Sequence, residues 1–206
     1  MFLHKAILPL RALYPDFVWR MPATDKTLYL TFDDGPIPDV TEWVLEQLDS
    51  FGAKATFFCI GENVVKNPSV FEKIRSEGHA VGNHTFNHLN GWKTDEATYL
   101  KNFKQCQQVL PETTLFRPPY GRITRRQARV VRQTHRVVMW DVLSGDFSAE
   151  LSPKIVLQKT LKYAEPGSIV LFHDSLKARR NMQYALPSVL AHFSELGFRF
   201  EALPSS

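Results

Sequence analysis

The feature that most constrains this fold is a repeated alternation. Short runs rich in apolar and β-branched residues recur along the chain, each followed by a segment with helical spacing. This is the pattern of successive β-α units around a parallel sheet. About seven units can be counted, with strands expected at Leu28 to Phe32, Ala55 to Cys59, His79 to Gly82, Leu115 to Arg117, Val137 to Trp140, Ile169 to Phe172 and Phe198 to Phe200. Asp39 to Asp49, with Val40, Trp43, Val44 and Leu48 on one face, represents the amphipathic helices between them. No linker or low-complexity stretch divides the 206 residues, so one domain over 1–206 is expected, with its core at about 27–202.

Polar residues gather where the expected strands end. Asp33 and Asp34 follow the first, His84 the third, Arg117 ends the fourth, Asp141 follows the fifth, and His173 and Asp174 follow the sixth. In parallel β/α folds the carboxyl ends of strands share one rim, where active sites form.

The stretch GNHTFNH sets His84 and His88 at i, i+4. If a helical turn begins there, both imidazoles face one side and can hold one metal ion; a pair of packing histidines is the alternative. A catalytic zinc takes three protein ligands, so a third is needed, and either aspartate of TFDDGP would serve. The other could accept a proton from an attacking water. An Asp-Gly turn that caps the next helix competes with this reading.

In LFRPPYG the diproline stiffens the backbone and leaves the Tyr120 N–H as a well-placed donor for an oxyanion, while Arg117 is available to a rim carboxylate. His173 closes the apolar run of SIVLFHDS. It reads either as a buried core histidine or, on this rim, as a proton donor oriented by a carboxylate. His4, His79, His135 and His192 show no partner at ligand spacing and read as structural or surface residues. Cys59 and Cys106 lack C-x-x-C spacing and read as buried free thiols.

Charge enters at two places. The net charge of +4 permits an anionic partner without specifying one. From Arg122 to Arg136 six arginines occur without one acid, giving a basic helix face that is solvated or binds an anionic polymer. Ala6 to Leu10 is too short for an export signal and lacks a cleavage site, and no stretch approaches the roughly 18 apolar residues of a membrane span.

Five ordered segments, TFDDGP at 31–36, HTFNH at 84–88, RPPYG at 117–121, WDVLSGDF at 140–147 and LFHDS at 171–175, resemble the polysaccharide deacetylase family. These are the NodB-homology or carbohydrate esterase family 4 enzymes, and the match runs from about Thr27 past the sixth expected strand. The resemblance implies a distorted (β/α) barrel and a divalent metal, usually zinc, with cobalt, nickel or manganese as alternatives. It also implies removal of acetyl groups from N-acetylated, less often O-acetylated, sugars. Carried over by residue, it makes Asp33 the general base and Asp34, His84 and His88 the metal ligands. Arg117 holds the base, Tyr120 supplies its N–H to the oxyanion, and His173 is the general acid. Leu171 lines the acetate pocket, with Trp140 and Tyr120 beside the substrate.

One motif departs from the family. Its D-x-x-D-W pattern places Leu143 where an aspartate supports the acid histidine, and Phe147 replaces the tryptophan. Asp141, Asp146 or Asp174 then remains to support His173, and Asp141 is the first choice because it directly follows an expected strand. The expected partner is an acetylated carbohydrate such as peptidoglycan or chito-oligosaccharide, with no nucleic acid and no obligate protein partner. A non-catalytic carbohydrate-binding relative and an anionic-polymer binder are the competing readings. The expected location is cytoplasmic as the sequence stands, with cell-envelope association as the alternative.

Overall fold

The structure is a computed structural model that describes residues 4, 5 and 8–204, with residues 8–10 described in backbone only. A short helix α1 (Leu8–Leu13) precedes β1 (Thr27–Asp33), α2 (Val40–Ser50), β2 (Ala55–Cys59), α3 (Gly61–Lys66), α4 (Pro68–Ser76) and β3 (Ala80–Asn83). Then follow α5 (Glu96–Val109), β4 (Leu115–Phe116), a 3₁₀ turn (Pro119–Gly121), α6 (Arg125–Val131), β5 (Arg136–Val137) and β6 (Val142–Leu143). The chain ends through α7 (Pro153–Tyr163), β7 (Ile169–His173), α8 (Arg179–Glu195) and β8 (Arg199–Phe200). The strands run parallel in the order β5-β4-β3-β2-β1-β7-β6, and β8 joins the start of β1.

The expected barrel is present, with its strands curled around a packed interior. In β1 the side chains alternate: Leu28, Leu30 and Phe32 bury against Val40, Val44, Leu45 and Leu48 of α2 and the apolar face of α8. Tyr29 packs on the inside with Phe58, Leu115, Val138, Ile169 and Leu203. Thr31 and Asp33, two and four residues on, share that inner side. The sequence assigns helix starts by ordinary capping: Asp95 accepts from the Thr98 N–H, Thr124 forms a capping box with Gln127, and Ser152 precedes Pro153 in the first turn of α7.

Among the described residues, seven of the eight strands coincide with expected runs. The eighth, β6, lies in the stretch after Trp140, where a two-residue strand leaves no alternation to read. β5 and β6 do not pair with each other, and the N-terminal residues span the seam. Val18 bridges Val138, with Val18 N–H donating to the Val137 carbonyl at 2.8 Å and Met139 N–H to the Val18 carbonyl at 2.7 Å. Leu143 N–H donates to the His4 carbonyl at 2.9 Å, and Lys5 bridges Val142. Phe17 and Trp19 of the same segment bury against Phe116, Val131, Val137 and Met139. No helix among the described residues is long and apolar enough to cross a membrane.

Candidate active site

Strand register brings the rim residues together. Asp33 ends β1 directly beside His173 at the end of β7, while Asn83 ends β3 level with Phe116, so His84 and Arg117 emerge next to each other. Asp33, Asp34, His84, His88, Tyr120, Trp140, Leu171 and His173 all line one cleft of about 480 Å³. Asp141 does not.

The cleft is anchored by a buried ion pair. Arg117 is fully buried, and its Nη1 donates to Asp33 Oδ1 at 2.7 Å and to Thr31 Oγ1 at 2.8 Å. Nη2 and Nε donate to the Met139 and Val138 carbonyls at 2.7 and 3.3 Å, and the Phe58 ring lies 4.1 Å from the guanidinium carbon. A buried cation needs this many partners to offset its desolvation. Burial still lowers the Arg117 pKa against the opposing pull of Asp33.

Beside this pair lies an Asp-His-His corner. Ligand atoms of Asp34, His84 and His88 all fall within 4.8 Å of one another. His84 Nδ1–H donates to the Arg117 carbonyl at 2.7 Å, which turns the Nε2 lone pair into the corner. Burial, more than any neighbour, lowers the His84 pKa to about 4, so the ring is neutral at neutral pH, as a ligand must be. His88 Nε2 lies 3.2 Å from Asp34 Oδ1 but out of hydrogen-bond alignment, and Oδ1 is buried with no hydrogen bond among the described residues. Burial alone would raise the Asp34 pKa, but the imidazoles of His88, His173 and His84 outweigh it and hold the carboxyl well below its usual range. An unsatisfied buried oxygen facing two imidazole nitrogens fits a divalent cation, and this donor set suits zinc.

The helical turn that would set both imidazoles on one side does not form at 84–88; those residues are irregular. Thr85 and His88 instead take left-handed backbone conformations, φ 61° and 57°, and the two imidazole centroids still approach to 5.1 Å. Asp34 (φ 87°) and Tyr120 (φ 60°) are left-handed as well, so strained backbone concentrates around the corner. The Asp34 turn is tied down from below. Gly35 N–H donates to Asp174 Oδ1 at 3.0 Å, and Thr41 Oγ1 donates to Oδ2 at 2.6 Å. A Cβ on Gly35 would sit 1.9 Å from Asp174 Oδ2, which is why glycine follows the two aspartates. Burial raises the Asp174 carboxyl to about 8, against the pull of its Thr41 hydrogen bond. Asp174 therefore belongs to this turn and not to His173.

Opposite the corner, His173 is held by Asp146. Asp146 Oδ1 lies 2.9 Å from His173 Nδ1 while Oδ2 accepts the His173 backbone N–H at 2.7 Å, leaving Nε2 for the cleft. Burial opposes a charge on the ring, but Asp146, then Asp34 and Asp33, raise its pKa to about 9. Phe147 packs edge-on against the ring at 4.9 Å.

This corrects the choice of Asp141. Its carboxylate turns into the N-terminal seam, where it pairs with Arg11, with Lys5 at 3.0 Å and with the Ser168 hydroxyl at 2.6 Å. These partners lie far away in sequence, and following a strand was no guide to direction. The better signal was Phe147: once it stands for the motif's tryptophan, the residue before it is the motif's second aspartate. Asp146→Asn is accordingly expected to lower kcat about a hundredfold. Asp141→Asn is expected to retain kcat but to destabilise the fold by about 1–3 kcal/mol, read by thermal unfolding. An Asp141→Asn variant with the larger loss of turnover would reverse the assignment.

At the cleft wall the Tyr120 N–H meets no acceptor among the described residues. Leu171 and Leu143 line the cleft beside Trp140 and Phe147. The cysteines and the histidines expected to be structural lie elsewhere: Cys59 and Cys106 are buried free thiols, and His79 and His135 are buried, accepting from Ala55 N–H and bonding Gln107 respectively.

A carboxylate locked by a buried arginine, next to a cation-competent corner at the open mouth of a parallel barrel, is the arrangement of a barrel hydrolase. Comparison with known proteins narrows the class. Residues 20–138 match the family model described as polysaccharide deacetylase, and the chain belongs to that family. It is 34% identical over 188 residues to a peptidoglycan-N-acetylglucosamine deacetylase of Bacillus cereus, covering 88% of each chain. It is 33% identical over 205 residues to a chitooligosaccharide deacetylase of Azorhizobium caulinodans, covering 90% of this chain and 96% of that one. The crystal structure of the Bc1960 peptidoglycan N-acetylglucosamine deacetylase, in complex with 4-naphthalen-1-yl-N-oxidanyl-benzamide, superposes with a TM-score of 0.88. That match is 30% identical and covers 97% of this chain and 96% of that one.

Proposed function

We propose that this protein is a divalent-cation-dependent deacetylase that hydrolyses the acetamide of N-acetylglucosamine-containing glycans, releasing acetate and a free amine. The observation that carries the reading is the convergence of Asp34, His84 and His88 within 4.8 Å beside the Arg117-locked Asp33. The named activities of the two curated relatives support the same substrate class.

Asp34, His84 and His88 would hold the cation, zinc by its donor set, with cobalt, nickel or manganese as alternatives. When bound, the cation supplies Lewis-acid polarisation and a more acidic water. Asp33 is the base. Its Oδ1 is occupied by Arg117, whereas Oδ2 points towards the corner, 3.7 Å from His84 Nε2, and can accept a proton from the attacking water. The water oxygen bonds to the acetyl carbon, and the Tyr120 N–H donates to the oxyanion that develops. His173 Nε2 then donates its proton to the nitrogen as the C–N bond breaks, and Asp146 holds Nδ1 throughout. Leu171 and Leu143 offer an apolar wall to the acetyl methyl, and Trp140 and Tyr120 face the sugar.

Acetate release from chito-oligosaccharides and peptidoglycan fragments tests this. Release is expected from the cation-loaded protein, loss of at least about a hundredfold after chelation, and recovery when zinc is returned. Acetate released only from O-acetylated glycans would favour esterase chemistry. Glycan binding without release from any substrate would favour a non-catalytic relative.

A further inference from the structure

The proposed chemistry uses the floor of the cleft and leaves two cations at its mouth without a role. Arg122 and Lys177 both line the cleft, one after the 3₁₀ turn and the other just before α8. Among the described residues neither makes an ion pair with a carboxylate, although the chain has surface ion pairs elsewhere. The acids in the cleft face other groups, Asp33 pairing with Arg117 and Asp34 lying in the corner beside His88.

Arg122 is also held in place. Its guanidinium carbon lies 5.2 Å from the ring centre of Trp92, which is 60% exposed and donates from Nε1 to the Ile123 carbonyl at 3.1 Å. The Arg122 carbonyl accepts the Gly91 N–H at 3.1 Å, and Gln127 Nε2 donates to the Gly91 carbonyl at 3.0 Å. A surface arginine ordinarily loses rotamer entropy when it pairs; here stacking and the tied loop have restricted it beforehand. On the other side Lys177 Nζ lies 5.7 Å over Phe147, the ring that packs on His173. Exposed Arg125 and Arg126 on one flank, and Arg179 and Arg180 on the other, continue the positive potential outwards.

We propose that Arg122 and Lys177 are specificity-determining residues that pair with carboxylates on the sugars flanking the acetylated one. The preferred substrate is then an N-acetylated glycan with carboxylate substituents along its backbone, in place of a neutral one. This rests on the deacetylase reading and adds the charge of the substrate to it. A carboxylate is favoured over phosphate because each side of the mouth offers one cation within the cleft. That matches single charges spaced along a polymer; a phosphate site gathers several donors at one point.

The test compares kcat/KM for acetate release from three oligosaccharides of equal length: a peptidoglycan-derived one with free carboxylates, the same one amidated at those carboxylates, and a chito-oligosaccharide. The wild type is expected to prefer the free-carboxylate substrate over its amidated form by about tenfold at low ionic strength, with the preference shrinking as salt is added. The ratio should fall to about one in the double variant Arg122→Gln/Lys177→Gln and largely persist in Arg122→Lys. Arg129→Gln is the control for general surface charge, because Arg129 lines a separate hollow with Tyr14 and Asp16, and it should keep the ratio. Equal rates on free and amidated substrates overturn the proposal, as does a ratio that survives the double variant or collapses equally in Arg129→Gln. If no substrate releases acetate, the deacetylase reading falls and binding of the same oligosaccharides decides. Tighter binding of the free-carboxylate form, lost in the double variant, upholds the pairing; equal binding of both forms overturns it.

Discussion

Asp33→Asn is expected to lower kcat for acetate release about a thousandfold while changing affinity for the divalent cation by less than about tenfold. The substitution keeps shape and an acceptor oxygen, so the contact with Arg117 Nη1, now 2.7 Å, can persist as a neutral hydrogen bond. What disappears is the anionic oxygen that takes the proton. Asp34, and not Asp33, converges with both imidazoles, whereas the Asp33 carboxylate is tied by its Oδ1 to Arg117 and meets the corner only at His84 Nε2, 3.7 Å from Oδ2. A second effect accompanies the first. Arg117 is fully buried, and without its anion it depends on Thr31, the Val138 and Met139 carbonyls and the Phe58 ring. Breaking a buried pair on one side costs about 3–5 kcal/mol, so a lower melting temperature is expected alongside the lost turnover. Cation titration of the folded variant separates the two effects. Retained affinity with lost turnover identifies the base, whereas a loss of affinity comparable to the loss of rate would make Asp33 a ligand and undo the division of labour between the two aspartates.

That division was legible in the sequence to an uneven degree. Alternating apolar runs located the long strands because β1, β2 and β7 are long enough, at five to seven residues, to show a buried pattern. The run Val137 to Trp140 read as one strand, yet the structure ends β5 at Val137 and begins β6 at Val142. Between them Val138 bridges Val18 of the N-terminal segment, a contact across more than a hundred residues that no local pattern records. The same distance hid the fate of Asp141, whose partners Lys5 and Arg11 come from that segment. For His84 and His88 the spacing suggested convergence through a helix, but left-handed backbone at Thr85 and His88 produced it instead. Asp146 was recoverable because its aromatic neighbour keeps the motif in register. Arg122 and Lys177 had no such marker: one lay within an arginine-rich run that read as a solvated face, and the other stood alone.

The second large effect concerns the neighbouring aspartate. Asp34→Ala is expected to weaken divalent-cation affinity by more than about a hundredfold, since even partners outside the ligand set are worth about ten- to a hundredfold and Asp34 would be one of three ligands. It also removes the one carboxylate of that set, leaving only the two imidazoles. Two physical contributions must be separated. Residue 34 has φ 87°, a conformation that aspartate and asparagine tolerate better than alanine, so part of any loss in Asp34→Ala could come from a shifted turn. Asp34→Asn keeps the turn propensity and an oxygen ligand but not the charge. If the carboxylate binds the cation, Asp34→Asn should be weakened as well, by less than Asp34→Ala, while Gly35 and Thr41 continue to hold Asp174 and the melting temperature stays near that of the wild type. At saturating cation Asp34→Asn should regain part of its turnover, because Asp33, Arg117 and His173 are untouched. This recovery is the outcome that distinguishes a ligand from a base, since no cation concentration restores Asp33→Asn. Wild-type affinity in Asp34→Ala would show instead that the buried, unbonded Oδ1 serves the turn and that the cation site, if there is one, is built from other donors.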